Sequence, residues 1–307
     1  YIIIHLILKK PKHVIYFNKK ALLNILFARI FKKKTKFIYH NFDFDLLSSA
    51  KSLGERLLIR LEFYCSKKCN YLIFPSKERS KLFKKHSKNI YSKYYYFMNC
   101  FPKKFIIKNS IKFKKFLISN KLQTKKVICH LGSIGPNHFL EEIIESFKFI
   151  NDKFVLVIAG SSINHFGDYL KKKIEISNLN KKIYIIEDVS NNYWFEILQR
   201  SHLGLCFYKQ MSLSHKYMAG TSQKFNNYLL FNLPMIVNDN FDFNRFRKNH
   251  DIFEMADAKY PKKIAQKIDK LFYKKNRYKK IKKNMKKVLK KELNFETQFD
   301  ISYKHIL

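Results

Sequence analysis

The stretch Thr221–Asp239, TSQKFNNYLLFNLPMIVND, decides how the rest of the chain is read. Thr221 and Ser222 are strong N-cap types, so a helix is expected to start near Gln223 with Lys224 in its first turn. An apolar run follows, Leu233-Pro234 halts it, and Met235–Val237 reads as a short buried strand. A cation at a helix start opposes the dipole, whose amino-terminal end is already positive. An anion shared with that end, such as a diphosphate, would remove the conflict. The plain alternative is a solvent-facing lysine in a chain full of them.

Working outward, the same strand-then-helix alternation recurs. Lys125–Ser133 (KKVICHLGS) is a strand running into glycine, Phe139–Ile150 is an amphipathic helix, and Phe154–Ser162 (FVLVIAGSS) is a second strand. A helix over 165–178, a strand over 182–189, a helix over 191–201 and the strand LGLCFYK at 203–209 complete the block. Strands alternating with helices of this length imply a parallel sheet covered on both faces, with ligands at the carboxyl ends of its strands. Several of those ends are small or polar: Gly132-Ser133, Gly160-Ser161-Ser162 and Asp188-Val189-Ser190. Glycine lets a backbone approach a ligand closely, although many such turns serve only to reverse the chain.

The first third shows the pattern more faintly. Lys12–Phe17 and Lys36–Asn41 read as strands around a helical KKALLNILFARIFKK, a βαβ unit. A helical region over Leu46–Cys69 leads to the strand NYLIFPS and to a helix with Ser76 and Glu78 as capping candidates. NIYSKYYYFMNCFPKK adds a strand and a proline turn, then a Lys-rich connector; beyond Pro261 the chain reads as Lys-rich helix.

The chain has 307 residues, long enough for two domains of ordinary size, and 46% hydrophobic content excludes a disordered class. A net charge of +39 suggests a polyanion partner, but the enriched types are those with codons rich in A and T, so composition drift accounts for most of it. Lysines lie on every segment and no aromatic RNA-binding module is present, which weighs against a basic RNA- or membrane-surface binding protein. Cys65, Cys69, Cys100, Cys129 and Cys206 show no zinc spacing and fit a reduced cytosolic protein. The apolar start YIIIHLIL is too short to span a bilayer.

The run SHLGLCFYK…TSQKFNNYLLFNLPMIVND resembles the donor-site region of family 4 glycosyltransferases of the GT-B fold, with Ser222, Lys224, Tyr228 and Pro234 at the matching places. HLGSIGPNHFLEEIIESFKFI is similar to the opening of that family's second domain, MNCFPKK to its interdomain link, and KKELNFETQF to its closing helix. The resemblance implies an α/β fold of GT-B type: two Rossmann-like domains with parallel sheets, the N-terminal one incomplete because the family's first strand and glycine loop are not visible. The expected parts are an acceptor-side domain over 1–103, a donor domain over 104–280 and a helical segment over 281–307 that packs back towards the first.

It further implies transfer of a sugar from a nucleotide-sugar donor to a cell-envelope glycan or lipid-linked acceptor, retaining, with no cofactor and no metal, in the cytoplasm and peripherally at the inner membrane face. Donor-binding candidates are Gly132, Ser133, His138, Gly160, Val189, Ser222, Lys224 and Asn227; His40 and then Asp43 are the catalytic candidates. The chain departs from the family where an arginine and a lysine usually meet the diphosphate, which fall at about Ser133 and His138, and where a glutamate binds the ribose, which falls at Asn227. A degenerate transferase without turnover is therefore the first rival reading. The helix KKALLNILFARIFKKK, with Leu22, Leu23, Ile25, Leu26 and Ile30 as its apolar stripe, is expected to pack on the first sheet rather than to lie in a membrane.

Overall fold

A computed structural model of the chain describes residue 9 and residues 11–31, 34–106, 110–211 and 213–307, without the side chains of residues 29–31, 213 and 214. The apolar start Tyr1–Leu8 lies outside the described residues. The chain divides into two compact units: Tyr1–Cys100 with Ser212–Thr221 and Leu293–Leu307, and Phe101–Met211 with Ser222–Glu292.

The first unit holds a parallel four-stranded sheet in the order β1 (His13–Tyr16), β2 (Lys36–His40), β3 (Tyr71–Phe74), β4 (Lys93–Tyr96). Side chains alternate across it with the strand period of two. Phe37, Tyr39, Leu72 and Phe74 enter one core with Tyr16, Leu22, Ile25, Phe63 and Phe83. Ile38 and Ile73 face the other way, onto Phe97, Tyr303 and Ile306. Both faces are thus covered, as a parallel sheet requires, and the chain's last segment supplies part of the second cover.

Local chemistry sets the helix ends. Ser76 accepts from the Arg79 N–H at 3.2 Å and starts the helix Lys77–Ser87. Ser52 likewise accepts from the Glu55 N–H, so the helical region expected from Leu46 begins only at Leu53 and ends at Ser66. The run KKALLNILFARIFKK forms two helices, Lys19–Leu22 and Ile25–Phe31, in place of one. Asn24 sits at the break and its amide donates to the Ala21 carbonyl at 2.9 Å, competing with helical pairing. Of the expected apolar stripe, Leu22 and Ile25 are fully buried and Leu23 and Leu26 pack against the same core. The Ile30 side chain lies outside the described residues.

The second unit is a parallel six-stranded sheet in the order β10-β9-β8-β5-β6-β7. Its strands are β5 (Lys126–Leu131), β6 (Phe154–Gly160), β7 (Ile183–Glu187), β8 (Leu203–Cys206), β9 (Met235–Asn238) and β10 (Glu254–Ala256). The order reverses between β5 and β8, the topological switch point at which a doubly wound sheet opens a crevice. The helix Gln223–Leu230 runs between β8 and β9 with Ser222 as its N-cap, the start expected from the sequence. Among the elements without a clear signal are β10, the helix Phe241–Arg247 and the helix Lys112–Ser119 inside the Lys-rich connector. The last is capped from a distance, since the Glu196 carboxylate accepts from the Phe113 and Lys114 N–H groups. The Lys-rich tail forms three helices, Pro261–Tyr273, Lys275–Lys291 and Phe295–Ser302, the last begun by Asn294 accepting from Thr297. Among the described residues no helix is long and apolar enough to cross a membrane.

Candidate active site

β5 and β8 pair only through Ile128–Leu203 and Cys129–Gly204, then diverge. Tyr228, fully buried, fills the gap. Its hydroxyl takes the Leu131 N–H at 3.2 Å from β5 and lies 3.2 Å from the Leu205 carbonyl of β8. The ring rests on Gly204, where any Cβ would come within 2.6 Å of it. The tyrosine of the opening stretch therefore satisfies the backbone groups that the splayed strands leave behind, and so keeps the crevice open.

Lys224 projects into that crevice from the first turn of its helix. It is 5% exposed, so its ammonium is removed from water. Its Nζ lies 3.0 Å from His130 Nε2 and 4.8 Å from the centre of the Tyr208 ring. Neither partner is an anion, and no carboxylate pairs with Lys224 among the described residues. Burial lowers its pKa to about 8, with Cys206 and Cys129 opposing in part. His130, at the end of β5, is fully buried and held neutral, its pKa driven well below the usual value by burial and by the neighbouring Lys224 and His138.

Gly132 follows β5 with φ +143° and its Cβ position is only 3.1 Å from Lys224 Cε, so the turn and the lysine are in contact. Gly160, φ +151°, is needed for another reason, because a Cβ there would stand 1.7 Å from the Gly132 carbonyl oxygen. Its lack of a side chain lets the turn after β5 lie on the end of β6. The Gly132 N–H donates to Ala159 and the Ile134 N–H to Ser161, whereas the N–H of exposed Ser133 between them makes no hydrogen bond among the described residues. His138 ends a short 3₁₀ turn, with its ring 5.5 Å from that of His130 and 5.3 Å from that of Tyr208.

Ser222 is engaged twice, as N-cap for the Phe225 N–H and in a short hydrogen bond with the Tyr208 hydroxyl. Asn227 is 2% exposed and its Oδ1 has no hydrogen-bond partner among the described residues. Val189 is half-buried in the turn after β7, next to Asp188, which adopts a left-handed backbone with φ +53°. Two clefts open at the carboxyl ends of the strands. One of about 570 Å³ is lined by Ser161, Ser162, Glu187 and Asp188, and one of about 480 Å³ by Phe139, Tyr208, Lys209 and Asn238. The structure thus groups Gly132, His138, Ser222 and Lys224 around one crevice. Sequence reasoning missed His130 and Tyr208. The signal for the first was a lone histidine closing an otherwise apolar strand, which reads as core until its partner is known.

In the first unit, His40 ends β2 with 3% exposure. Its Nδ1 lies 2.7 Å from the Tyr303 hydroxyl, its ring stacks on Phe42 at 4.4 Å, and Phe97 meets it edge-on at 5.5 Å. Burial lowers its pKa to about 4, so the imidazole is neutral, and Nε2 has no hydrogen-bond partner among the described residues. Asp43 faces solvent and pairs with buried Arg79 at 2.7 Å; Asp45, two residues on, pairs with Lys19 at 2.6 Å. No group of three or more metal-ligating side chains occurs among the described residues.

Two parallel Rossmann-type sheets, one with a cationic crevice at its switch point, are the architecture of the GT-B class. The profile described as "Glycosyl transferases group 1" matches residues 112–288, more than half of the chain, and the chain belongs to that family. No curated protein matches it at the sequence level. Solved structures share the fold. HepE from Anabaena in complex with UDP superposes with a TM-score of 0.77 at 12% identity, covering 99% of this chain and 81% of the other. The UDP-forming α,α-trehalose-phosphate synthase of Burkholderia xenovorans, in complex with glucose-6-phosphate, gives 0.71 at 10% identity, with 97% and 74% covered. A glycosyltransferase from Rickettsia africae gives 0.63 at 14%, with 94% and 80% covered.

Proposed function

We propose that this glycosyltransferase draws its sugar from a nucleotide-sugar donor whose diphosphate lies against Gly132, Ser133 and Lys224. One observation carries the reading: a buried ammonium contacts a neutral imidazole and an aromatic face, and no carboxylate among the described residues. A charge desolvated without a counter-ion is costly, and a bound phosphate would supply the missing partner. The N–H of Ser133 and the start of the helix Gln223–Leu230 add donors for the same oxygens. In the transfer these groups would offset the charge growing on the leaving diphosphate.

HepE was solved with UDP and with UDP-glucose, which makes UDP the natural first probe here. Val189 and Gly160 belong to turns that would flank the nucleoside, and Asn227 stands where its family places a ribose contact. In the first unit His40 is our candidate for the sugar and acceptor side, through its buried Nε2, which has no hydrogen-bond partner among the described residues, with Asp43 second. We read the transfer as retaining, with protein cations in the place a metal would take, and the acceptor as a cell-envelope glycan or lipid-linked sugar met at the cytoplasmic membrane face. Release of free sugar from UDP-glucose or a related donor by the purified chain tests the reading. Turnover that is lost in a folded Lys224→Met variant supports it; binding without any turnover would favour the rival of a transferase-like protein that has lost its chemistry.

A further inference from the structure

The position of His130 is physically odd. A fully buried histidine is the penultimate residue of the strand VICHL, and among the described residues the one hydrogen bond of its side chain is to the ammonium of Lys224 at 3.0 Å. An ammonium can only donate, so His130 Nε2 must accept and the imidazole proton must sit on Nδ1. That Nδ1 is buried and finds no hydrogen-bond acceptor among the described residues, so the tautomer is held by Lys224 and not by its other side. The groups around the pair are Cys129 on β5, Cys206 on β8, Tyr208 after β8, His138 on the 3₁₀ turn, and Ser222 and Tyr228 flanking and within the lysine's helix. Not one is a carboxylate.

We propose that His130 is a positioning residue for the leaving group: a neutral acceptor that holds the Lys224 ammonium charged and turned towards the Gly132 loop without competing for it as a carboxylate would. This rests on the donor-site reading above. A buried lysine with no acceptor sheds its proton readily, and one paired with Asp or Glu is already neutralised. An imidazole avoids both outcomes. It donates lone-pair density, carries no charge, and resists protonation because it is fully buried and because Lys224 and His138 face it.

Two measurements test this, the first of them independently of the donor reading. Long-range ¹⁵N imidazole spectra of the nucleotide-free protein should show His130 with its proton on Nδ1 and a bare Nε2, unchanged between pH 6 and 7, where Lys224 keeps its proton. A proton on Nε2, or titration near the ordinary value of about 6.5, overturns the inference. Calorimetry of UDP binding from pH 7 to 10 should show affinity falling as Lys224 loses its proton near pH 8. In His130→Leu that fall should move down by about one pH unit or more, and His130→Gln, which keeps an oxygen acceptor, should restore the parent profile. His130→Glu should weaken UDP binding about tenfold or more at every pH. If the leucine variant is folded and keeps the parent midpoint, His130 is only packing and the inference fails. Should the parent bind no UDP at any pH, the donor reading fails while the imidazole spectrum still judges the pair.

Discussion

Glu62 offers a prediction that can be worked through from the structure. Its carboxylate is wholly buried in the first unit, where Oε1 accepts from the Tyr39 hydroxyl at 2.7 Å and from the Asn41 amide at 3.0 Å. Oε2 has no hydrogen-bond partner among the described residues. Burial raises the pKa to about 7; the hydrogen bonds and the charge of Lys19 oppose it, and Asp45 adds to it. The folded value lies above the unfolded one, so the protonated form stabilises the fold. That stability is fully present below about pH 4.5 and is lost as pH rises through 7. A shift of this size corresponds to about 3 kcal/mol.

His40 and His202, both lowered to about 4 by burial, act in the opposite direction: they favour the fold above the ordinary histidine value and withdraw that support as pH falls towards 4. The total pH profile therefore mixes signs, and the informative quantity is the difference between the parent and Glu62→Gln. Glutamine keeps an oxygen for Tyr39 and Asn41 and cannot ionise. Hydrogen exchange at the amides of β2 and β3 reports the first unit alone. Relative to the parent, the variant should gain about 3 kcal/mol between pH 4.5 and pH 7.5 and then level off. A difference that stays flat within about 0.5 kcal/mol across that range would refute the reasoning.

Two further substitutions address the crevice. Tyr228→Phe keeps the ring but leaves the Leu131 N–H buried without its partner, and urea unfolding should show a loss of about 1–3 kcal/mol; an unchanged midpoint would show the hydroxyl to be dispensable. Gly160→Ala places a methyl group 1.7 Å from the Gly132 oxygen in a backbone with φ +151°, so the turn must move. Loss of nucleotide binding in a protein that still gives the parent's circular dichroism is expected, and full retention would mean that the turn geometry does not position the ligand.

Much of the second unit was legible because local and global signals agree there. Thr221-Ser222 as a cap, Leu233-Pro234 as a stop and the apolar strands ending in glycine each name one conformation, and the sheet order then puts them at one crevice. The helix Lys112–Ser119 was not legible, since the group that caps it, Glu196, lies on another helix far along the chain. The break at Asn24 was hidden because asparagine's competition for a helical carbonyl depends on the packing around it. Among site residues, the resemblance pointed to Lys224 and Gly132, which touch, but placed nothing at His130. A strand histidine acquires meaning only from what the neighbouring helix carries, and that is a fact of tertiary structure.

The central claim is that the buried ammonium of Lys224 awaits a diphosphate. Its most direct test is UDP binding by calorimetry at pH 7 for the parent and for Lys224→Met, which keeps the volume and removes the charge. The account predicts a loss of about 1.5–3 kcal/mol in binding, roughly a tenfold to hundredfold rise in Kd, with folding stability unchanged or improved because an unpaired buried charge has gone. Equal affinity for UDP in the two proteins would contradict it.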